Sequence, residues 1–276
     1  MKKLFTLLAL TISFSMNAQW SYNSTSTGIQ SSTNDASGAR AIAMGGYTTA
    51  SGDFTTAMGR YTTASGNRAT AMGERTTASG IWSTAMGYYT TASGLASTAM
   101  GYYTTASDYS STVIGQYNSS GSSATSANSF STSAPAFVIG NGTASNAKSD
   151  AFKVMFNGDA TVSNDLTVSG DVVISSDARL KSNIVSLGST LPKLLQIDGK
   201  SYEMKGKQKI GVLAQEIQEV FPELVSEDDN EMLAVNYQGL VPVLINALKE
   251  QQSEIETYRD EVSELKEMVQ KLMKTE

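Results

Sequence analysis

The chain has 276 residues, a formal net charge of −6, no cysteine and no histidine. Disulfides, thiolate and imidazole metal sites and histidine triads are therefore excluded, and acid–base chemistry falls to carboxylates, lysine or tyrosine. No basic cluster supports nucleic-acid binding, and neither a cofactor nor a metal site is expected.

Residues 1–18 read as an export signal. Lys2 and Lys3 precede a mostly apolar run from Leu4 to Phe14, too short to span a bilayer. Asn17-Ala18-Gln19 offers a cut after Ala18. No later stretch is long and apolar enough for a transmembrane helix, so a secreted or cell-surface protein with no membrane span is expected. An exported chain without cysteine needs another source of durability, such as a repeat core or oligomerisation.

A repeat dominates residues 36–118. Ala-Met-Gly stands at 43–45, 57–59, 71–73, 85–87 and 99–101, and Val113-Ile114-Gly115 takes the next slot, so the period is 14. Thr-Thr-Ala-Ser-Gly interleaves at 48–52, 62–66, 76–80 and 90–94, followed by Thr104-Thr105-Ala106-Ser107-Asp108. The unit suits two short strands and two tight turns, because small and β-branched residues flank each glycine. Met44, Met58, Met72, Met86, Met100 and Ile114 are expected to stack as an inward ladder, with Ala50, Ala64, Ala78, Ala92 and Ala106 opposite. The glycine after each Met is expected at positive φ at a corner. Coils rising about 4.8 Å each would give a rod of roughly 30 Å.

So thin a core buries little apolar surface per chain, which implies side-by-side association. Tyr47, Tyr61, Tyr89 and Tyr103, with Arg75 in the equivalent slot, recur on one face and suit either an interface or a ligand. The strict period argues against a disordered Ser/Thr/Gly linker. An ice-binding solenoid would need a flat Thr-x-Thr array, whereas the adjacent threonines here point to opposite faces.

Ser83-Thr84-Ala85-Met86-Gly87 and Ser97-Thr98-Ala99-Met100-Gly101 resemble the Ser-x-Ala-x-Gly motifs of YadA-type trimeric adhesin heads. That resemblance covers about 80 residues and implies, for a head over residues 19–118, a left-handed parallel β-roll with three chains per head and a possible surface or glycan ligand. It departs from those adhesins in lacking their membrane β-barrel.

Residues 119–175 read as a β-rich connector or neck. Ser119 to Ser133 is a loop, Ala136 to Gly142 restarts a strand, and Asp150 to Phe156 alternates before an Asn157-Gly158 hairpin signal. Ala160 to Val162, Leu166 to Val168 and Val172 to Ile174 are expected as short strands.

Composition changes sharply at residue 176. Leu191 to Leu195 and Gly211 to Val220 have helical apolar spacing, the second ending before Pro222. Leu233 to Tyr237 reads as a strand or strand end, and a long helix follows from about Gly239. Its heptads place Val241, Leu248, Ile255, Val262 and Val269 at a, and Leu244, Gln251, Tyr258, Leu265 and Leu272 at d. This predicts a coiled coil over 241–275; β-branched a with Leu d favours two strands, and Gln251 and Tyr258 blur that choice.

Ser176-Asp177-x-Arg179-Leu180-Lys181, Gly211 to Glu216, Phe221-Pro222-Glu223-Leu224-Val225, Val235-Asn236-Tyr237 and Leu240 to Leu244 resemble the intramolecular chaperone auto-processing domain of phage tail spikes such as endosialidases. Over residues 176–276 the resemblance implies a homotrimeric α+β chaperone that assembles the preceding fibre and releases itself by cleavage. Ser176 would be the nucleophile and Lys181 the general base, an autoproteolytic serine peptidase without external substrate. The cut would fall beside Ser176, on the Ser175 or the Asp177 side, with the bond before Ser176 favoured. A lysine base must lose its proton through desolvation or nearby positive charge, for which Arg179 and Lys193 are candidates. By spacing alone, Ser176 reads first as a helix N-cap with Asp177 in the first turn, and it is the surrounding motifs that turn the reading towards a nucleophile. The competing class is an adhesive or structural protein that keeps a non-proteolytic trimerisation domain. A sugar-degrading tail spike lacks a separate catalytic domain and paired carboxylates in the repeat.

Overall fold

A computed structural model describes residues 21–22, 29–30, 33–228 and 231–274; the export signal at 1–18 lies outside them. The chain divides into two compact units, one up to Val172 and one from Val173.

The first unit is a parallel β-solenoid. Its long strands, Ile42–Gly46, Thr56–Arg60, Thr70–Glu74, Thr84–Tyr88, Thr98–Tyr102 and Thr112–Gln116, pair in parallel at a shift of one coil. The short strands Thr49–Ala50, Thr63–Ala64, Thr77–Ala78, Thr91–Ala92 and Thr105–Ala106 form a second, five-stranded sheet. In-register pairing stacks like residues, so Met44 faces Met58 and Ala50 faces Ala64.

The core is made of alanine. Ala43, Ala57, Ala71, Ala85 and Ala99 from the long strands meet Ala50, Ala64, Ala78, Ala92 and Ala106 from the short ones, all fully buried. The inward methionine ladder is not found. In Thr-Ala-Met the central Ala points inward, so strand alternation turns both neighbours out, and Met44, Met58, Met72, Met86, Met100 and Ile114 are half-buried. Two sheets that meet through alanine methyls leave no depth for a methionine.

The corners also differ from expectation. Every seventh residue from Arg40 to Tyr117 has φ between 43 and 61°, and none of these twelve is glycine. The coil is therefore two half-coils of the form Ala-(Met/Ser)-Gly-x-x-(Thr/Ser/Ala)-Thr. A left-handed residue costs about 1–2 kcal/mol. Inter-coil hydrogen bonding helps offset that cost: Tyr61, Arg75, Tyr89 and Tyr103 donate their N–H groups to Gly46, Arg60, Glu74 and Tyr88 carbonyls at 2.8–3.0 Å. The glycines after Met do have positive φ, but they lie inside the long strands. A Cβ on Gly73 would sit 2.1 Å from the Gly87 carbonyl oxygen, so close coil contact demands glycine there.

Both ends of the short sheet carry an asparagine clasp. Asn34 accepts from Thr48 N–H and donates to the Ala43 and Gly45 carbonyls. Asn118 accepts from Thr105 N–H and donates to the Thr105 and Ser120 carbonyls. Asp108 replaces the repeat glycine in the last full coil. A Cβ on the preceding Gly94 would overlap the Asp108 backbone, whereas Asp108 itself turns its carboxylate to the N–H groups of Thr125 and Ser126, both 2.6 Å away. The loop at 119–133 is thereby laid over the last coils.

The connector continues the long sheet. Pro135–Asn141 pairs in parallel with Thr112–Gln116, and Asp150–Met155 and Ala160–Val162 add antiparallel strands around the Asn157-Gly158 turn. The strands expected at Leu166–Val168 and Val172–Ile174 are absent. Among the described residues these segments find no strand to pair with, and an unpaired strand leaves its backbone donors unsatisfied.

In the second unit three helices matter: α1 (Leu191–Leu194), α2 (Ala214–Val220) and α3 (Leu240–Met273). Ile217, Phe221 and Val243 form the buried centre, flanked by Leu194, Val212, Leu224 and Val235. Helix α2 begins at Ala214 rather than Gly211, because Gly211 ends a strand paired with Lys200. That hairpin, Lys200–Met204 with Lys207–Gly211, was not expected from the sequence. Its Lys-rich strands hide the alternation, although Lys205-Gly206, both at positive φ, is a two-residue hairpin turn. Leu233–Val235 pairs with Val225–Glu227, and α3 follows a 3-10 turn at Tyr237–Gly239.

Candidate functional site

Between Val162 and Leu191 the single regular element is a 3-10 turn at Ala178–Leu180. Its N-cap is Asp177, not Ser176: the Asp177 carboxylate accepts from Arg179 N–H at 2.8 Å. The same carboxylate takes a bidentate pair from the Arg179 guanidinium, at 3.0 Å and 2.7 Å. These Arg179 contacts, side chain first and then backbone, hold Asp177 below its ordinary pKa. The guanidinium charge is thus committed to Asp177. Lys193, the other expected cation, lies 5.5 Å from the Phe221 ring centroid.

Relieved of capping, Ser176 faces across the turn. Lys181 Nζ donates to Ser176 Oγ at 2.7 Å. The tight turn brings the two side chains together across five residues of sequence. Ser175, Ser176, Asp177 and Lys181 are all exposed in the single chain. A nucleophile–base pair needs this hydrogen-bond distance, and a lysine base also needs a dry surrounding.

Apolar residues bracket the pair. Val173, Leu180 and Val185 are 88%, 73% and 83% exposed, and Ile174, Ile184 and Leu187 are exposed too. Exposure on this scale marks a surface that another chain can cover.

One residue of this region escaped sequence reasoning. Glu250, on α3, accepts from Thr190 N–H at 2.5 Å, from Ser189 Oγ at 2.7 Å and from Leu191 N–H at 3.3 Å. These contacts, the Thr190 N–H foremost, hold Glu250 below its ordinary pKa. Thr190 Oγ1 also donates to the Val243 carbonyl at 3.0 Å. The segment leaving the Ser–Lys pair is thereby tied to the long helix. No local pattern announces a contact across some sixty residues of sequence.

The a and d positions of α3 form an uncovered stripe. Ile255, Tyr258, Val262, Leu265, Val269 and Leu272 are all exposed. Among the described residues no helix is long and apolar enough to cross a membrane.

Comparison with known families agrees with the two halves. The family described as YadA head domain repeat (2 copies) matches residues 36–62, 64–90 and 92–118. The family described as chaperone of endosialidase matches residues 176–226. No curated protein matches the chain. The chain therefore carries YadA head repeats followed, in that N-to-C order, by a chaperone-of-endosialidase segment.

Proposed function

We propose that this is an exported, homotrimeric fibre or adhesin-like protein whose C-terminal part, from Ser176, is an intramolecular trimerisation chaperone that cuts itself free. The observation that carries the reading is the 2.7 Å hydrogen bond between Lys181 Nζ and Ser176 Oγ at the junction of the two parts. Two apolar faces support association: the half-buried Met stripe of the solenoid and the exposed heptad stripe of α3. YadA-type heads and endosialidase chaperones both form trimers, which favours three chains over two.

The reaction follows from the residues. Neutral Lys181 takes the Ser176 hydroxyl proton as Oγ attacks the carbonyl carbon of Ser175. The tetrahedral centre collapses, the bond to the Ser176 nitrogen breaks, and Lys181 returns its proton to that nitrogen. The product is a Ser175 ester on Ser176 Oγ; water hydrolyses it, leaving a Ser175 carboxylate and a free Ser176 amine. Lys181 acts as a base only when unprotonated, so the pair must be desolvated. Burial of Val173, Ile174, Leu180 and Ile184 between assembled chains would supply that desolvation, coupling the cut to assembly.

Exposure of both groups in the single chain also supports a second reading, in which the domain is retained as a trimeriser. Intact mass and native mass of the wild-type protein separate the two. A trimeric species ending near Ser175 supports processing; a full-length chain that persists after folding supports retention. Ser176→Ala should leave the full-length chain, and continued fragmentation of that variant beside residue 176 would remove the Ser–Lys assignment.

A further inference from the structure

The corner column of the solenoid carries a run of stacked phenols. Tyr89 and Tyr103 lie with ring centroids 4.5 Å apart at 8°, and Tyr103 and Tyr117 at 4.9 Å and 14°. Tyr47 and Tyr61 repeat the arrangement at 5.1 Å and 9°. Arg75 fills the slot between the two runs, 5.1 Å from both the Tyr61 and the Tyr89 ring centroids. The left-handed corner and the inter-coil N–H bonds fix each tyrosine backbone, so the rings meet in register. Tyr47 and Tyr61 are exposed, at 61% and 38%, and Tyr89, Tyr103 and Tyr117 are half-buried with part of each ring open to solvent.

We propose that this column is a site of oxidative tyrosine coupling that staples successive coils covalently, with Tyr103 as its centre. The co-reactant is hydrogen peroxide used by a haem peroxidase. Each phenol gives up its O–H proton and one electron. The two radicals join through ortho carbons, forming one C–C bond. The two ortho hydrogens then move to the oxygens and restore both phenols. The pair of rings has lost two hydrogens in all, and the peroxide O–O bond breaks to give two waters. Stacking brings ortho carbons of adjacent coils near each other before any radical forms, so coupling within the column outpaces encounters in solution. Desolvation, then the neighbouring phenols, raise the Tyr103 pKa above its ordinary value of 10.0. The chain has no cysteine, so no thiol competes for the radical and no disulfide supplies this staple. The inference is independent of the Ser–Lys reading.

The test treats the full chain with peroxidase and hydrogen peroxide, then maps linked peptides by mass spectrometry and reads dityrosine fluorescence. Tyr89–Tyr103 and Tyr103–Tyr117 links are expected within a chain that still migrates as a monomer after boiling. Dityrosine should exceed that of the urea-unfolded chain by roughly tenfold. Tyr103→Phe keeps the ring stack; it should lose both links and retain Tyr47–Tyr61 and the neighbouring stacked pair Tyr88–Tyr102, whose centroids lie 5.2 Å apart at 10°. Equal yields from folded and unfolded chains, links that join separate chains instead, or an unchanged yield in Tyr103→Phe would overturn the proposal.

Discussion

Thr76 shows what the narrow solenoid asks of one side chain. Its backbone lies one position inside the corner, its side chain is fully buried, and its hydroxyl has no hydrogen-bond partner; Thr48, Thr62, Thr90 and Thr104 repeat the condition. A buried hydroxyl without a partner costs about 1–3 kcal/mol, and valine has nearly the same shape. Thr76→Val is therefore expected to raise the melting temperature, with a gain near 1 kcal/mol measured by thermal unfolding. Gly73→Ala should do the reverse. Its φ of +117° and the 2.1 Å approach to the Gly87 oxygen predict a loss of about 3 kcal/mol or more, read by the same melt. At the seam, Lys181→Arg keeps the charge and the donor but removes a usable base. If the seam is cut as proposed, intact mass should show the full-length chain for that variant, as for Ser176→Ala.

Among the elements, the clasp between α3 and the start of α1 has a defined pH response. Glu250 has a folded-state pKa below its ordinary value of 4.5. Its contribution is therefore present above about pH 4.5 and is lost as pH falls through the lower folded value. Glu250→Gln should remove that pH dependence, visible as a flatter acid limb in a pH series of unfolding midpoints, with wild-type and variant converging at the acid end. The elements that were legible in the sequence are those with strict periods. The heptads of α3 and the 14-residue spacing of Ala-Met-Gly each impose one geometry. The Lys200–Gly211 hairpin was not legible, because its alternation runs through lysines and its identity rests on Lys205-Gly206 alone. The inward methionine ladder failed for a related reason. Period fixes which residues stack, but only the depth between the sheets decides which face is inside.

For the whole molecule, the exposed stripe of α3 sets the expectation. Leu265→Asp places a charge at a d position and should shift the protein from trimer towards monomer, measured by native mass. If assembly supplies the dry site for Lys181, the same variant should also retain its full-length mass; full cleavage of a monomeric variant would separate the two events.

At this scale the division between sequence and fold is clear. The sequence by itself determined a repeated β rod, a compositional seam at Ser176 and a long heptad helix, because each is written as a period or a break in composition. Only the tertiary structure decided that alanine rather than methionine fills the rod, that Asp177 caps the turn and leaves Ser176 to Lys181, and that Glu250 ties Ser189–Leu191 to α3. Those outcomes depend on inter-sheet depth, on competition between neighbouring side chains for one turn, and on contacts between residues far apart in the chain. No local pattern encodes any of the three.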